Sequence, residues 1–168
     1  MTKKTLLIVD DEENIIKTMI RTLRDDGYRI VTALSGEEGL SKLKKHEVDL
    51  VISDQKMPGM SGLEFLKKVR VTYPDILCIM LTAYGDIDTA LAAINDVGIY
   101  KFILKPWDQV ELRITIKRAL EARDLTVERD SLLDKVRAQE IMLRELEKKH
   151  PGITKVQRDR HGTAILKL

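Results

Sequence analysis

A single cysteine, Cys78, lies inside an apolar run of this 168-residue chain. One thiol builds neither a disulfide framework nor a thiolate metal centre, and it fits a reducing compartment. Aromatic residues are scarce at 4%, and the formal charge is only +2. Residues 1–106 hold 15 Lys and Arg against 16 Asp and Glu, and residues 107–168 hold 14 against 11. Neither part carries the basic excess with interleaved aromatics that direct nucleic-acid binding requires. Long apolar runs are also missing. None approaches the roughly 20 residues needed to span a bilayer. The run after Met1-Thr2-Lys3-Lys4 reaches acids by position 10, too early for a secretory leader. A soluble, cytoplasmic protein without membrane contact is expected.

Between Pro106 and Pro151 there is neither proline nor glycine. An uninterrupted helix of about 40 residues, about 60 Å long at 1.5 Å per residue, is expected there and would outrun a small domain. The 33% of charged residues is high for a compact fold and agrees with a long exposed helix, while 43% apolar residues suffice for one ordinary core.

Five apolar runs alternate with helical patterns. Thr5–Val9 reads as a buried strand, and Ile15, Ile16, Met19, Ile20 and Leu23 follow with helical spacing. Residues 28–33 form a second strand, and Ser35 with Glu38 has the spacing of a capping box opening a helix to about His46. Residues 48–53 form the third strand, and Ser61 with Glu64 opens a helix over Leu63 to Val71. A fourth strand ends before Thr82, a helix capped by Asp86 carries Ala90, Leu91, Ala93 and Ile94, and a fifth strand covers 100–104. Asp108 with Glu111 resembles a third capping box, at the start of the long helix. Near-continuously apolar strands need cover on both faces, so the expected fold is α/β: a five-stranded, doubly wound parallel sheet of flavodoxin-like type.

In the long helix, Val110, Ile114 and Leu120 can pack on the sheet. Beyond them Ala122, Leu125, Arg129, Leu132, Val136, Gln139, Leu143 and Leu146 step by alternating threes and fours, the seam of a coiled coil. Glu140 with Arg144 and Glu145 with Lys149 are supporting i,i+4 pairs. A dimeric coiled coil is expected; a single helix packed on a further domain would have the same pattern.

Chemistry concentrates at the strand ends. Asp10 and Asp11 follow the first strand, Asp54 ends the third before Met57-Pro58-Gly59, Thr82 follows the fourth, and Lys105-Pro106 follows the fifth. In sheets of this kind ligands bind beside the carboxyl ends of the strands. Two like charges 4 Å apart cost about 4 kcal/mol at an effective dielectric of 20, and a cation offsets that. Few carboxylates with room for water and phosphate is the Mg2+ pattern. A phosphoryl group held there would face Asp54 as nucleophile, with Mg2+, Lys105 and Thr82 each taking an equatorial oxygen. Taken singly, the acid pair could be a helix N-terminus favoured by the helix dipole, and the Lys-Pro and Thr sites ordinary turns. Their order on successive strands favours one site.

The acid pair, Asp54 with Met57-Pro58-Gly59-Met60-Ser61-Gly62, Thr82-Ala83 and Lys105-Pro106 resemble the receiver domain of two-component response regulators, over about residues 4–120. The resemblance implies phosphotransfer from a sensor histidine kinase to Asp54. It implies Mg2+ ligated by Asp11, Asp54 and the Lys56 carbonyl, with Asp10 acting through water. It further implies phosphoryl contacts from Thr82 and Lys105, and a switch in which Phe102 turns inward as Thr82 moves. Lys56 and Tyr84 stand where the family varies, in positions to tune dephosphorylation. Homodimerisation would use the face of the fourth helix, fifth strand and fifth helix together with the coiled coil.

The expected division is a receiver domain over 1–121, a coiled-coil extension over 122–150, and a tail over 151–168 that is either a hairpin or the start of an output domain. The junction Lys105-Pro106-Trp107-Asp108 resembles that of regulators with large outputs, some of them cyclic-dinucleotide phosphodiesterases. No helix-turn-helix, Walker loop or His-Asp cluster follows residue 150, so a protein partner or a missing output domain would carry the response. The protein is expected not to be an enzyme beyond its own phosphotransfer and autodephosphorylation. The alternatives are a constitutive coiled-coil scaffold with a vestigial site and an aspartate-based phosphohydrolase. The latter is disfavoured because its nucleophile would follow the first strand in an Asp-x-Asp pair.

Overall fold

The computed structural model describes residues 3–153. Five parallel strands, β1 (Thr5–Val9), β2 (Arg29–Ala33), β3 (Leu50–Asp54), β4 (Leu77–Thr82) and β5 (Lys101–Leu104), form one sheet in the order β2-β1-β3-β4-β5. The helices are α1 (Glu13–Leu23), α2 (Gly36–Leu43), α3 (Gly62–Thr72), α4 (Ile87–Val97) and α5 (Gln109–Lys149). The expected doubly wound α/β fold is the observed one.

The period-2 alternation of the strands sorts their side chains onto two faces. Leu7, Val9, Val51, Cys78 and Met80 pack with Phe65, Leu66, Val69 and Ala90 of α3 and α4. Leu6, Ile8, Leu50, Ile52, Ile79, Leu81 and Ile103 pack with Ile16, Met19 and Leu23 of α1 and Leu112, Ile116 and Ala119 of α5. Burial pushes the Cys78 thiol up to about 12, so it acts as a small apolar side chain.

Several boundaries differ from expectation, each for a local reason. The third strand begins at Leu50 rather than residue 48 because Asp49 closes its start: its backbone N–H donates to the Thr5 carbonyl and its carboxylate accepts from the Thr5 N–H at 2.8 Å. Helix α2 ends at Leu43, short of His46. β2 and β5 each start one residue late.

The Ser61–Glu64 capping box is complete, but the other two are half-formed. Ser35 caps Glu38, whose carboxylate accepts from Leu34 instead of Ser35. Asp108 accepts from the Glu111 N–H, while the Glu111 carboxylate faces Lys101. Asp86 does not cap α4; its carboxylate pairs with Lys56 at 2.9 Å.

The chain divides into two compact units, Met1–Leu125 and the part from Thr126 onward. In the first, Arg123 on α5 donates to Asp49 at 2.8 Å and to the Asp75 carbonyl at 3.0 Å, and Lys4 pairs with both Asp49 and Asp124. These contacts tie α5 to the amino-terminal ends of the strands. In the second, Leu132, Val136 and Leu143 of the expected seam are exposed. Most of the tail over 151–168, from residue 154 onward, lies outside the described residues. Among the described residues, no helix is long and apolar enough to cross a membrane.

Candidate functional site

The strand order reverses between β1 and β3: from β1 the chain passes to β2 on one side, and β3 lies on the other. The crevice at this switch point, at the carboxyl ends, is where doubly wound sheets bind ligands. Asp10 follows β1 and Asp54 ends β3, so the two acids flank it. Asp11 is exposed beside them, and the three carboxylates each bring an oxygen within 4.8 Å of the others.

Asp10 is fully buried. One of its oxygens accepts from the Glu12 N–H at 2.9 Å; the other accepts from the Lys105 ammonium at 2.8 Å. Lys105 lies at the same distance from Asp54. The sequence had assigned Lys105 to a phosphoryl oxygen; in the structure it also bridges two of the three acids, so the chain itself offsets part of their repulsion. Burial raises the Asp54 carboxyl above the ordinary carboxylate value, Lys105 counteracts this by hydrogen bond and charge, and the net shift is upward. For Lys105, burial alone would lower the ammonium, but its bonds to Asp10 and Asp54 outweigh that and raise it.

Three carboxylates and one ammonium leave two negative charges among oxygen donors, one of them exposed. That donor set suits Mg2+, which prefers oxygen ligands and retains several waters. Replacing Lys105 by methionine leaves buried Asp10 facing Asp54 without a cation. The expected loss is on the order of 3–5 kcal/mol in urea denaturation, since a buried charged group has lost its ion-pair partner, with partial recovery on adding Mg2+.

Thr82, at the end of β4, is 1% exposed, and Lys105 is held next to it by its backbone N–H donating to the Thr82 carbonyl at 2.7 Å. The Thr82 hydroxyl donates to the side-chain carbonyl of Gln55, a contact the sequence reading missed. A polar residue directly after Asp54 was its only signal; its burial follows from the tertiary packing. Phe102 is half-buried and packs against the core face shared with α3 and α4. Lys56 and Tyr84 are exposed at the rim.

A second missed feature is Gly62. Its N–H donates to the Gln55 carbonyl at 2.9 Å, which brings α3 so close to β3 that a Cβ there would lie 1.8 Å from the Asp54 carbonyl oxygen.

Comparison with known proteins gives a consistent picture. Residues 6–117 match the family model described as the response regulator receiver domain. The hydrogenase transcriptional regulatory protein HoxA of Cupriavidus necator is 40% identical over 72% of this chain, which covers 25% of that protein's length. The chain thus spans about a quarter of that relative. Sporulation initiation phosphotransferase F of Bacillus subtilis is 34% identical over 71% of this chain and is covered over 96% of its own length. A crystal structure of a response regulator receiver domain protein from Clostridium thermocellum superposes with a TM-score of 0.69 at 32% identity, over 73% of this chain and 98% of that one.

Proposed function

Since this chain belongs to the response regulator receiver domain family, we propose that Asp54 accepts a phosphoryl group from a sensor histidine kinase in a Mg2+-dependent reaction. The observation that carries this is the Lys105 ammonium lying 2.8 Å from both Asp10 and Asp54, beside Asp11, at the switch point of the sheet, with Thr82 at the end of the neighbouring β4.

An Asp54 oxygen attacks the phosphorus of a phosphohistidine. The new O–P bond forms as the N–P bond breaks, and the imidazole leaves with its electron pair and takes a proton. The product is an acyl phosphate on Asp54, and its hydrolysis returns the carboxylate and inorganic phosphate. Asp11, Asp54 and the Lys56 carbonyl would hold Mg2+, with Asp10 acting through water. When bound, the metal neutralises charge on the transferring group. Lys105 moves its ammonium toward a phosphoryl oxygen, and Thr82 donates its hydroxyl to another.

The response runs through Thr82 and Phe102 to the face formed by α4, β5 and α5. Phe102 turns inward as Thr82 moves, and that face pairs with its equivalent in a homodimer. The division into a receiver domain over 1–121, a coiled coil over 122–150 and a tail over 151–168 belongs to this proposal, as does a cytoplasmic location. A protein partner or a further domain carries the output.

Sedimentation with and without Mg2+ and phosphoramidate tests this. A phosphodonor-dependent shift from monomer to dimer, absent in Asp54→Asn, is the expected result. If neither labelling nor any phosphodonor effect is seen, the proposal fails. Leu132, Val136 and Leu143 are exposed on α5, and Val136→Asp, which puts a charge at a seam position, is expected to weaken the dimer, so that phosphodonor-dependent dimerisation needs a higher protein concentration.

A further inference from the structure

The phosphoryl site depends on one proton that is already committed elsewhere. Thr82 has a single hydroxyl hydrogen, and the hydroxyl donates to the Gln55 side-chain carbonyl. Its other contact, to the Ala83 carbonyl, is longer at 3.4 Å. Gln55 is 7% exposed and Thr82 1% exposed, so water does not readily replace either partner.

Gln55 is also fixed in place along its backbone. Its N–H donates to the Leu81 carbonyl at 3.0 Å, and its carbonyl accepts from Gly62 at 2.9 Å. The side chain therefore reaches Thr82 from an anchored position between the end of β3 and the end of β4.

We propose that Gln55 is a positioning residue that holds the Thr82 hydroxyl in its resting orientation and competes with the phosphoryl group for its proton. Engaging Thr82 then requires breaking the Gln55 bond and leaving a buried amide oxygen without its donor. Gln55 thereby sets how readily the site closes on a phosphoryl group. This rests on the phosphoacceptor role proposed for Asp54 and deepens it: the residue after Asp54 acts on the switch without touching the phosphoryl group.

The test is the affinity of the full chain for beryllium trifluoride, a phosphoryl mimic, at fixed Mg2+. It is read by calorimetry and by the fluorescence of Trp107, the chain's one tryptophan. Gln55→Met and Gln55→Leu are compared, each checked for folding by urea denaturation, together with Thr82→Val and the double variants. Each Gln55 variant is expected to tighten binding roughly five-fold, the equivalent of about 1 kcal/mol for one hydrogen bond. In the Thr82→Val background the same changes should have no effect.

Unchanged or weakened binding in both folded Gln55 variants overturns the proposal, as does tightening that persists in Thr82→Val. Absence of binding in the unsubstituted chain overturns the Asp54 assignment itself, and the Gln55 proposal with it; binding there with no Gln55 effect overturns the Gln55 proposal alone.

Discussion

Asp54→Asn is expected to abolish covalent labelling by phosphoramidate and, at neutral pH, to leave the chain more stable than the unsubstituted protein. The first effect follows from removal of the nucleophilic oxygen: an amide does not form the acyl phosphate. The second follows from the Asp54 carboxyl lying above its ordinary value, with burial as the largest cause. A carboxyl raised in the folded state takes up a proton more readily there than in the unfolded chain. Its contribution to stability is complete below the unfolded value of about 4 and is lost as pH rises through the higher folded value. Asparagine has no such loss. Urea midpoints of the two proteins should therefore differ least in acid and diverge above that window, with the variant the more stable. Labelling that survives in Asp54→Asn would locate the phosphoacceptor elsewhere, and a variant less stable at pH 7 would contradict the burial argument.

Gly62→Ala should cost more than about 3 kcal/mol, the upper end of the usual range for overpacking. The added Cβ would meet the Asp54 carbonyl oxygen at 1.8 Å and the Gln55 Cα at 2.9 Å. All of these are backbone atoms, so no side chain can rotate away. Either α3 retreats and loses the Gly62-to-Gln55 hydrogen bond, or the end of β3 shifts and carries Asp54 and Gln55 with it. Phosphodonor labelling should fall together with the urea midpoint. Gly85→Ala is the control, because a Cβ there has nothing within 4 Å; it should be neutral or slightly stabilising, since it restricts the unfolded chain. Equal midpoints for Gly62→Ala and the unsubstituted chain would show that the helix start tolerates the displacement.

Much of the molecule was legible in the amino-acid order. Apolar runs of four to six residues, each followed by a helical pattern, leave few arrangements other than a parallel sheet covered on both faces, and the absence of proline and glycine from 107 to 150 marks α5. Strand-end placement of Asp10, Asp54, Thr82 and Lys105 could be read the same way, because parallel strands deliver their carboxyl ends to one rim. The capping signals were less reliable. Asp86, Glu38 and Glu111 have the right spacing but make other bonds, because Lys56, Leu34 and Lys101 offer them partners from neighbouring segments.

What the sequence by itself determined is which residues reach the rim, since a two-residue side-chain period and a turn residue after each strand are local properties. Only the tertiary structure decided how those residues pair. Lys105 bridges Asp10 and Asp54 although β3 and β4 separate β5 from β1 in the sheet, because its long side chain reaches from the end of β5 to the crevice between β1 and β3. Gln55 meets Thr82 because the β3–β4 register places Asp54 beside Leu81. Gly62 is constrained by a strand it follows by several residues, and Asp49 takes Arg123 from a helix more than seventy residues away. Such contacts depend on distances across the sheet of a few ångströms, which residue spacing along the chain does not encode.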